Sequence, residues 1–316
     1  MKYLSPAYST IKKVFILSII LSCFNYTYAQ QAPHYAQYLY NMQVINPAFV
    51  GSKSDFNAAL LTRRQWTGVE GAPETTTFSA NTRINSGFGF GGTVILDKIG
   101  LVENTNLNLD VSYTIATSQY GRLSFGVKGG LALFENNLAD GITPDNDIYA
   151  STTGRYGNLG FGFLYHTNKF FAAVSIPNIL DSPVFTIQDD IATNVNLENS
   201  NYFFTGGMRI NLSKFNDVVL QPSTMVRYIP SLPLSVDINT NLIYKKTYEV
   251  GLSYRFQNSI GALVAITLNE KFRIGYAYEN QLTSISNNLN THELILRVDL
   301  KFEGNKRWLN EDCYCF

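Results

Sequence analysis

The sequence predicts an all-β fold, namely a transmembrane, antiparallel, up-and-down β-barrel of about fourteen strands that follows a short N-terminal segment. Three observations lead to this prediction. Apolar and polar side chains alternate with a period of two in segment after segment, and short and long connections alternate between these segments. The 316 residues also include 20 Tyr, 21 Phe and 23 Gly while only 15% are charged, which is typical of sheet with a lipid-facing surface.

Residues 1–29 are predicted to be a secretory signal peptide. Two lysines precede the apolar run 14–21, which is too short to span a bilayer, and small residues then lead to a cleavage site after Ala29. Cleavage there would leave Gln30 as the mature N-terminus. The residues before Cys23 loosely resemble a lipoprotein box, but the fit is poor and simple cleavage is preferred. Export of a barrel predicts the outer membrane of a Gram-negative bacterium.

The barrel is predicted to occupy residues 55–302, because the alternation continues through this range. Leu107, Leu109 and Val111, for example, alternate with Asn108 and Asp110. Successive side chains of a strand point to opposite faces, so each segment has one apolar and one polar face. The predicted strands are 55–66, 75–84, 87–97, 104–117, 121–134, 155–166, 169–177, 201–212, 217–228, 232–244, 247–257, 259–268, 271–280 and 291–302.

The connection lengths support the same topology. Connections after even-numbered strands are all tight, whereas those after odd-numbered strands include every long one, as expected for short periplasmic turns and long outer loops. The long ones are 67–74, 98–103, 135–154, 177–200 and 281–290. An even strand number returns both termini to the periplasm. Residues 30–54 are therefore expected either to plug the lumen or to lie in the periplasm, and residues 303–316 to form a periplasmic tail.

A soluble β-sandwich also alternates, but it rarely needs so many long strands. Aromatic residues gather near the predicted strand ends, as in the girdles at membrane interfaces. They are Trp66, Tyr113, Tyr165, Tyr228, Tyr244 and Tyr278. The opposite face carries charges of both signs among Gly and Asn, which suits a hydrated lumen. The membrane barrel is therefore favoured.

No chemistry-bearing motif is convincing, and the chain is predicted not to be an enzyme. The glycines of residues 87–92 resemble a phosphate loop, yet a strand rather than a helix follows them, so they are expected on the inner face of the barrel. Cys313 and Cys315 lack neighbouring ligands and are expected to be unpaired thiols. No cofactor or metal is expected. The formal net charge of zero does not indicate binding to nucleic acid. Three histidines are interpreted as interface residues: His34, His166 and His292.

Two features stand out around the first hairpin: paired Arg63 and Arg64 before a tryptophan, and a compact turn with two glycines and a proline. Interface anchoring and turn chemistry alone would explain them. The chain also resembles a known family in the segments Gln37-Tyr38, 45–51, 64–73, 77–79 and 97–100. The residues that carry this resemblance are Asn46, Pro47, Gly51, Arg64, Trp66, Gly68, Gly71, Pro73, Asp97, Lys98 and Gly100.

That family is PorP/SprF, outer-membrane proteins of the type IX secretion and gliding-motility machinery. The resemblance implies a barrel in outer-membrane lipid that works by protein–protein contact. The implied partners are a secreted adhesin or its C-terminal domain, the type IX machinery, and a periplasmic peptidoglycan-linked lipoprotein. No catalytic residues carry over. The outer loops 135–154 and 177–200 would be suited to holding a partner.

A channel or transporter for a small solute is the alternative, with residues 30–54 as its plug. The predicted lumen charges are compatible with such a channel and equally with a lumen closed by its own ion pairs. These charges are Lys128, Arg209, Asp237 and Arg255.

Overall fold

The computed structural model describes residues 35–53, 56–85, 87–137, 152–180, 197, 200–213, 217–230, 232–282, 289–300 and 302. The predicted signal peptide and the predicted tail 303–316 lie outside these residues. In the described part of the chain, no helix is long and apolar enough to cross a membrane.

Fourteen antiparallel strands form a closed barrel, as predicted. Each strand pairs with the next, and the first pairs with the last along the whole of Phe56–Arg64. Closure gives every described strand a partner on both sides, as a bilayer requires, although β6 pairs with β7 only along Phe161–His166. The strands are β1 Phe56–Arg64, β2 Glu74–Asn85, β3 Phe88–Ile99, β4 Val102–Ala116, β5 Arg122–Asn136, β6 Thr152–His166, β7 Phe170–Ile176, β8 Tyr202–Met208 with its continuation Ile210–Asn211, β9 Val218–Tyr228, β10 Ser235–Tyr244, β11 Tyr248–Arg255, β12 Ser259–Leu268, β13 Phe272–Gln281 and β14 Asn290–Leu300.

Apolar and polar side chains occupy the two faces of the wall in the opposite way to a water-soluble protein. On β4, Leu109 is 60% exposed and faces outward, whereas its neighbour Asp110 is fully buried and faces inward. The other strands show the same arrangement, with large apolar side chains outside and mostly polar or charged ones inside, although some inner positions are apolar, among them Leu61, Leu164 and Ile295. Apolar side chains outside and polar ones inside suit hydrocarbon around the barrel rather than water. The alternation predicted from the sequence is thereby confirmed.

Most strand ends differ from the predictions by one to three residues. β1 ends at Arg64, because Trp66 turns the chain with a positive φ of 48°. The predicted long connection 98–103 is wrong: β3 and β4 continue until only Gly100 and Leu101 join them. There Lys98 pairs across the strands with Glu103, which extends the ladder. The last strand ends at Leu300, so the predicted end at residue 302 is also wrong.

Residues 35–53, called the plug from here on, lie inside the barrel. They form three short 3-10 turns, Tyr38–Tyr40, Met42–Val44 and Pro47–Phe49. Nearly all of their side chains are buried, and they supply the centre of the apolar cluster that packs against inward-facing wall residues. The sequence left two placements open for residues 30–54, and the described part of that range, residues 35–53, lies in the lumen.

Candidate functional site

A row of five small residues on adjacent strands receives the C-terminal half of the plug. The five are aligned by direct cross-strand pairing from β3 to β7, and we call them the small-residue groove: Gly89, Ser112, Gly126, Gly162 and Ser175. Their side chains, or the lack of them, let the plug backbone approach the wall closely. A Cβ on Gly126 would overlap the backbone of Pro47 and Ala48, and one on Gly162 would overlap the Asn46 side chain.

Hydrogen bonds fix the plug along this groove. The Ser175 hydroxyl donates to the Ile45 carbonyl at 2.7 Å, and the Ser112 hydroxyl donates to the Val50 carbonyl at 2.6 Å. The plug therefore crosses the strands, so that several wall strands each bind a different plug residue.

Asn46 and Pro47 build the turn that enters the groove. Proline favours an extended conformation in the residue before it and fits the first position of a helical turn. Asn46 is accordingly extended, and its Oδ1 accepts from the Ala48 amide at 2.9 Å as an N-cap. Its Nδ2 donates to the Phe163 carbonyl at 3.2 Å. Gly51 ends the segment with a φ of 65°, a conformation that favours glycine.

A buried ion pair holds the middle of the plug. Lys128 is 1% exposed and donates through Nζ to the carbonyls of Gln43 and Val44, at 3.1 and 2.7 Å. Its Nζ lies 3.7 Å from Asp110, which in turn accepts from the Gln43 side chain at 2.9 Å. The wall charges and the polar groups of the plug thus satisfy one another's hydrogen-bonding capacity. A buried charge with such partners costs far less than an unpaired one.

Tyr40 is held from several sides near the short-turn end of the lumen. Its hydroxyl donates to Glu249, and the Arg273 guanidinium lies 3.6 Å from its ring centroid. Arg297 donates to its carbonyl at 2.8 Å. Burial raises the pKa of this phenol and of the two other buried tyrosines of the plug, Tyr35 and Tyr38, so all three remain neutral at neutral pH.

A ring of charges surrounds the plug's first described residues near the long-loop end. Glu293 accepts from the amides of Ala36 and Gln37 at 2.8 and 3.0 Å and forms an ion pair with Arg63. Arg63 also contacts Glu279, 3.3 Å away. Glu279 pairs with Arg255, which pairs with Asp237, each at 2.8 Å. Two of the predicted lumen charges therefore belong to one inward-facing network, which we call the collar: Arg63, Asp237, Arg255, Glu279 and Glu293.

The β1–β2 and β3–β4 connections form a joined outer corner. The Gly100 amide donates to the Gly71 carbonyl at 2.9 Å, and the Thr67 amide donates to the Asn290 carbonyl at 3.2 Å. Gly68, Gly71 and Gly100 all have positive φ, of 96°, 70° and 60°. The turn glycines are thus required by backbone conformation.

The sequence-predicted family residues fall into two groups. Asn46, Pro47 and Gly51 lie in the plug. The other eight lie at the outer corner, where Arg64 pairs with Glu74 at 3.0 Å and Asp97 accepts from the Thr75 hydroxyl. The remaining members of this corner group are Trp66, Gly68, Gly71, Pro73, Lys98 and Gly100.

The groove and the contacts within the collar were not predicted from the sequence. Arg63 connects the two groups, because it is the residue before Arg64 on β1 and binds the plug through Glu293. The alternation places Arg63, Gly126 and Gly162 on the inner face, but it does not reveal what they contact there.

Two cavities between the plug and the wall are small. One cavity beside Tyr35 and the collar measures about 10 Å³, and another beside Tyr40 and Phe49 measures about 40 Å³. Such volumes hold one or a few water molecules. In the described part of the chain, no group of three or more His, Cys, Asp or Glu is arranged to hold a metal ion.

Residues 27–298 match the family described as type IX secretion system membrane protein PorP/SprF. No curated protein matches the chain. Solved structures with similar folds include the Acinetobacter baumannii outer membrane protein Omp33, with 9% identity, 79% of this chain and 100% of that chain covered, and a TM-score of 0.48. The Ralstonia pickettii toluene transporter TbuX has 8% identity, 81% and 92% coverage, and a TM-score of 0.47.

Proposed function

The chain belongs to the type IX secretion system membrane protein PorP/SprF family, and from this premise we propose that it is a non-enzymatic barrel that binds a secreted surface protein. The barrel would help to export that protein or anchor it at the outer membrane through the partner's C-terminal domain. An adhesin is the proposed cargo. A periplasmic peptidoglycan-linked lipoprotein and the type IX machinery are the proposed partners on the other side. Residues 1–29 are proposed to be removed after Ala29.

The observation that carries the proposal is the plug inside the lumen. The plug occupies the space that a solute would need, and its backbone is held by charges such as Lys128 and Glu293. A solute pathway would require these contacts to be broken and the wall charges to be satisfied again. Binding of a protein at the rim requires neither. The geometry therefore favours protein contact over passage of a solute.

The outer corner supplies a surface for such contact. Arg64 with Glu74 and Lys98 with Glu103 form outward-facing ion pairs, and charges on this face are costly within hydrocarbon. They therefore mark the end of the lipid layer. Val69 and Leu101 lie beyond them and are 49% and 37% exposed, so these apolar side chains are in water. The proposed partner-holding parts of loops 135–154 and 177–200 lie largely outside the described residues.

The test is recovery of partners with the intact barrel from membranes in mild detergent. We expect a large secreted protein or a periplasmic lipoprotein to accompany the wild type. Val69→Asp should reduce recovery of the secreted protein, because it puts a charge on the apolar corner. Gln119→Asp, at an exposed short turn of the opposite end, is the matched control and should leave it unchanged. Recovery of the barrel alone in several mild detergents would contradict the proposal.

A solute channel is the competing function, and planar-bilayer conductance separates the two. We expect the wild type to be closed, whereas a barrel with residues 35–53 deleted should conduct because its inner face is polar. Stable open channels in the wild type would favour transport instead.

A further inference from the structure

Two adjacent short turns carry three lysines, and two of these lysines have a backbone conformation that does not favour them. In the β10–β11 turn, Lys245 and Lys246 have φ values of 50° and 54°, and the Thr247 amide donates to the Tyr244 carbonyl at 3.0 Å. Two-residue turns with both central φ values positive strongly prefer Asn-Gly, because a Cβ is disfavoured in the left-handed region. The turn itself therefore does not explain a Lys-Lys pair.

The neighbouring β12–β13 turn has the same form and adds a third lysine. Asn269 and Glu270 have φ values of 53° and 54°, and the Lys271 amide donates to the Leu268 carbonyl at 3.0 Å. The two turns contact each other, since Lys246 lies 3.5 Å from Glu270. All three lysines are exposed.

In the described part of the chain, the acids near these turns do not cancel the charge of the lysines. Glu249 is buried and Asp299 is half-buried on the inner face, where each pairs with an arginine, so two acids remain to be considered. Glu270 is paired with Lys246, and the half-buried Asp217 accepts from the Lys245 amide through its backbone carbonyl. These two acids face three lysines, so a cationic surface remains.

Aromatic residues place these lysines at the membrane surface. Large outward-facing rings occupy the adjoining strand ends, between 46% and 57% exposed: Tyr244, Tyr248 and Phe272. The Lys245 ammonium lies 5.3 Å from the ring centroid of Tyr244, so this side chain lies beside the lipid-facing surface and does not extend away from it. Interfacial aromatic residues lie at headgroup depth, and lysine side chains near them reach the headgroups.

We propose that Lys245, Lys246 and Lys271 bind the phosphate of an anionic phospholipid in the leaflet on the short-turn side, which is the periplasmic side. The proposal explains why lysines occupy the β10–β11 turn. Asn-Gly would remove the backbone strain, but it would also remove both positive charges. The membrane position of Lys245 favours a lipid headgroup over a soluble acidic protein. This proposal does not depend on the identity of the secreted partner.

The experiment compares full-length wild type with K245N/K246G in nanodiscs of phosphatidylcholine alone or with added phosphatidylglycerol. We expect phosphatidylglycerol to raise the thermal unfolding midpoint of the wild type. The double variant should lose this increase, while its midpoint in phosphatidylcholine stays the same or rises because the turn is relieved. Native mass spectrometry should show its affinity for phosphatidylglycerol reduced about 30-fold, since each lysine at an anionic surface contributes about fivefold.

Two controls separate charge from turn geometry and lipid from free phosphate. K245R/K246R keeps the charge and should keep the lipid effect, whereas K271N should lose part of it without altering either positive-φ pair. Inorganic phosphate, compared with chloride at equal ionic strength, should not stabilise the wild type in phosphatidylcholine. Retention of the full phosphatidylglycerol effect by K245N/K246G, or an equal effect of inorganic phosphate, would overturn the proposal.

Discussion

A single methyl group in the small-residue groove should loosen the plug while the barrel remains intact. Gly126 on β5 is the best position, because it lies directly opposite Gly162 and the three atoms nearest to its added Cβ are all backbone atoms of the plug. The Ala48 Cα would be 2.7 Å away, and two further plug atoms would be closer still. Backbone atoms cannot rotate aside, so in Gly126→Ala the plug must retreat.

The size of the effect follows from the contacts that this retreat weakens. One of the closer atoms is the Pro47 carbonyl carbon, and an ordinary carbon contact needs about 3.5–4.0 Å, so the plug must shift by about 1.2–1.7 Å. A shift of that size weakens the bonds from Ser112 to Val50 and from Asn46 to the wall, each of which contributes about 0.5–1.5 kcal/mol. If the plug does not move, overpacking costs about 1–3 kcal/mol instead. Either way, the free energy of plug opening should fall by about 1–3 kcal/mol, which corresponds to a 5- to 150-fold larger open population.

Hydrogen–deuterium exchange with mass spectrometry measures this population directly. We expect peptides covering residues 35–53 to exchange about 5- to 150-fold faster in Gly126→Ala, while strands β4 to β6 keep their protection. Gly129→Ala on the same strand is the matched control, because its Cβ would have no neighbour within 4 Å. If exchange of the plug in Gly126→Ala stayed within about twofold of both wild type and Gly129→Ala, tight fit in the groove would not be what holds the plug.

Two further perturbations test the collar and the buried tyrosines. Glu293→Gln should destabilise the protein by about 3–5 kcal/mol in urea unfolding, because it leaves Arg63 in a buried, weakened ion pair, whereas Glu270→Gln at an exposed pair should cost less than about 1 kcal/mol. Equal losses in the two variants would contradict the role of the collar. Burial raises the pKa of the three plug tyrosines above about 10, so their contribution to stability is complete below pH 10 and is lost above it. Unfolding free energies should thus show no tyrosine-dependent loss from pH 7 to about 9, and a Tyr40→Phe variant that abolished a loss near pH 8 would contradict this assignment.

The wall was predictable because its pattern is local. A strand has a period of two, so the sequence around Leu109 and Asp110 shows which side chains face lipid and which face the lumen. The exact strand ends were less predictable, since partners on other strands set them. The pairing of Lys98 with Glu103, for instance, carries β3 and β4 beyond the predicted ends.

The groove could not be predicted in the same way, because it depends on register between strands. The tight β4–β5 turn allows residues to be counted from it, so that Ser112 can be aligned with Gly126. The long connection between β5 and β6 allows no such count, and the alignment of Gly126 with Gly162 appears only in the folded sheet. The family resemblance identified Asn46 and Pro47 without showing that they occupy this groove.

Wall and plug are energetically dependent on each other, and this limits how the lumen could open. Without the plug, Lys128 would lose both carbonyl acceptors, and its Nζ would keep only Asp110 at 3.7 Å. A ligand shifts such an equilibrium only by the difference between its affinities for the two states. A partner bound at the outer corner could reach the plug through Arg63 and Glu293, because Arg63 adjoins the corner residue Arg64. If a partner does open the lumen, Glu293→Gln should therefore weaken the coupling between partner binding and plug exchange, while leaving the corner surface itself unchanged.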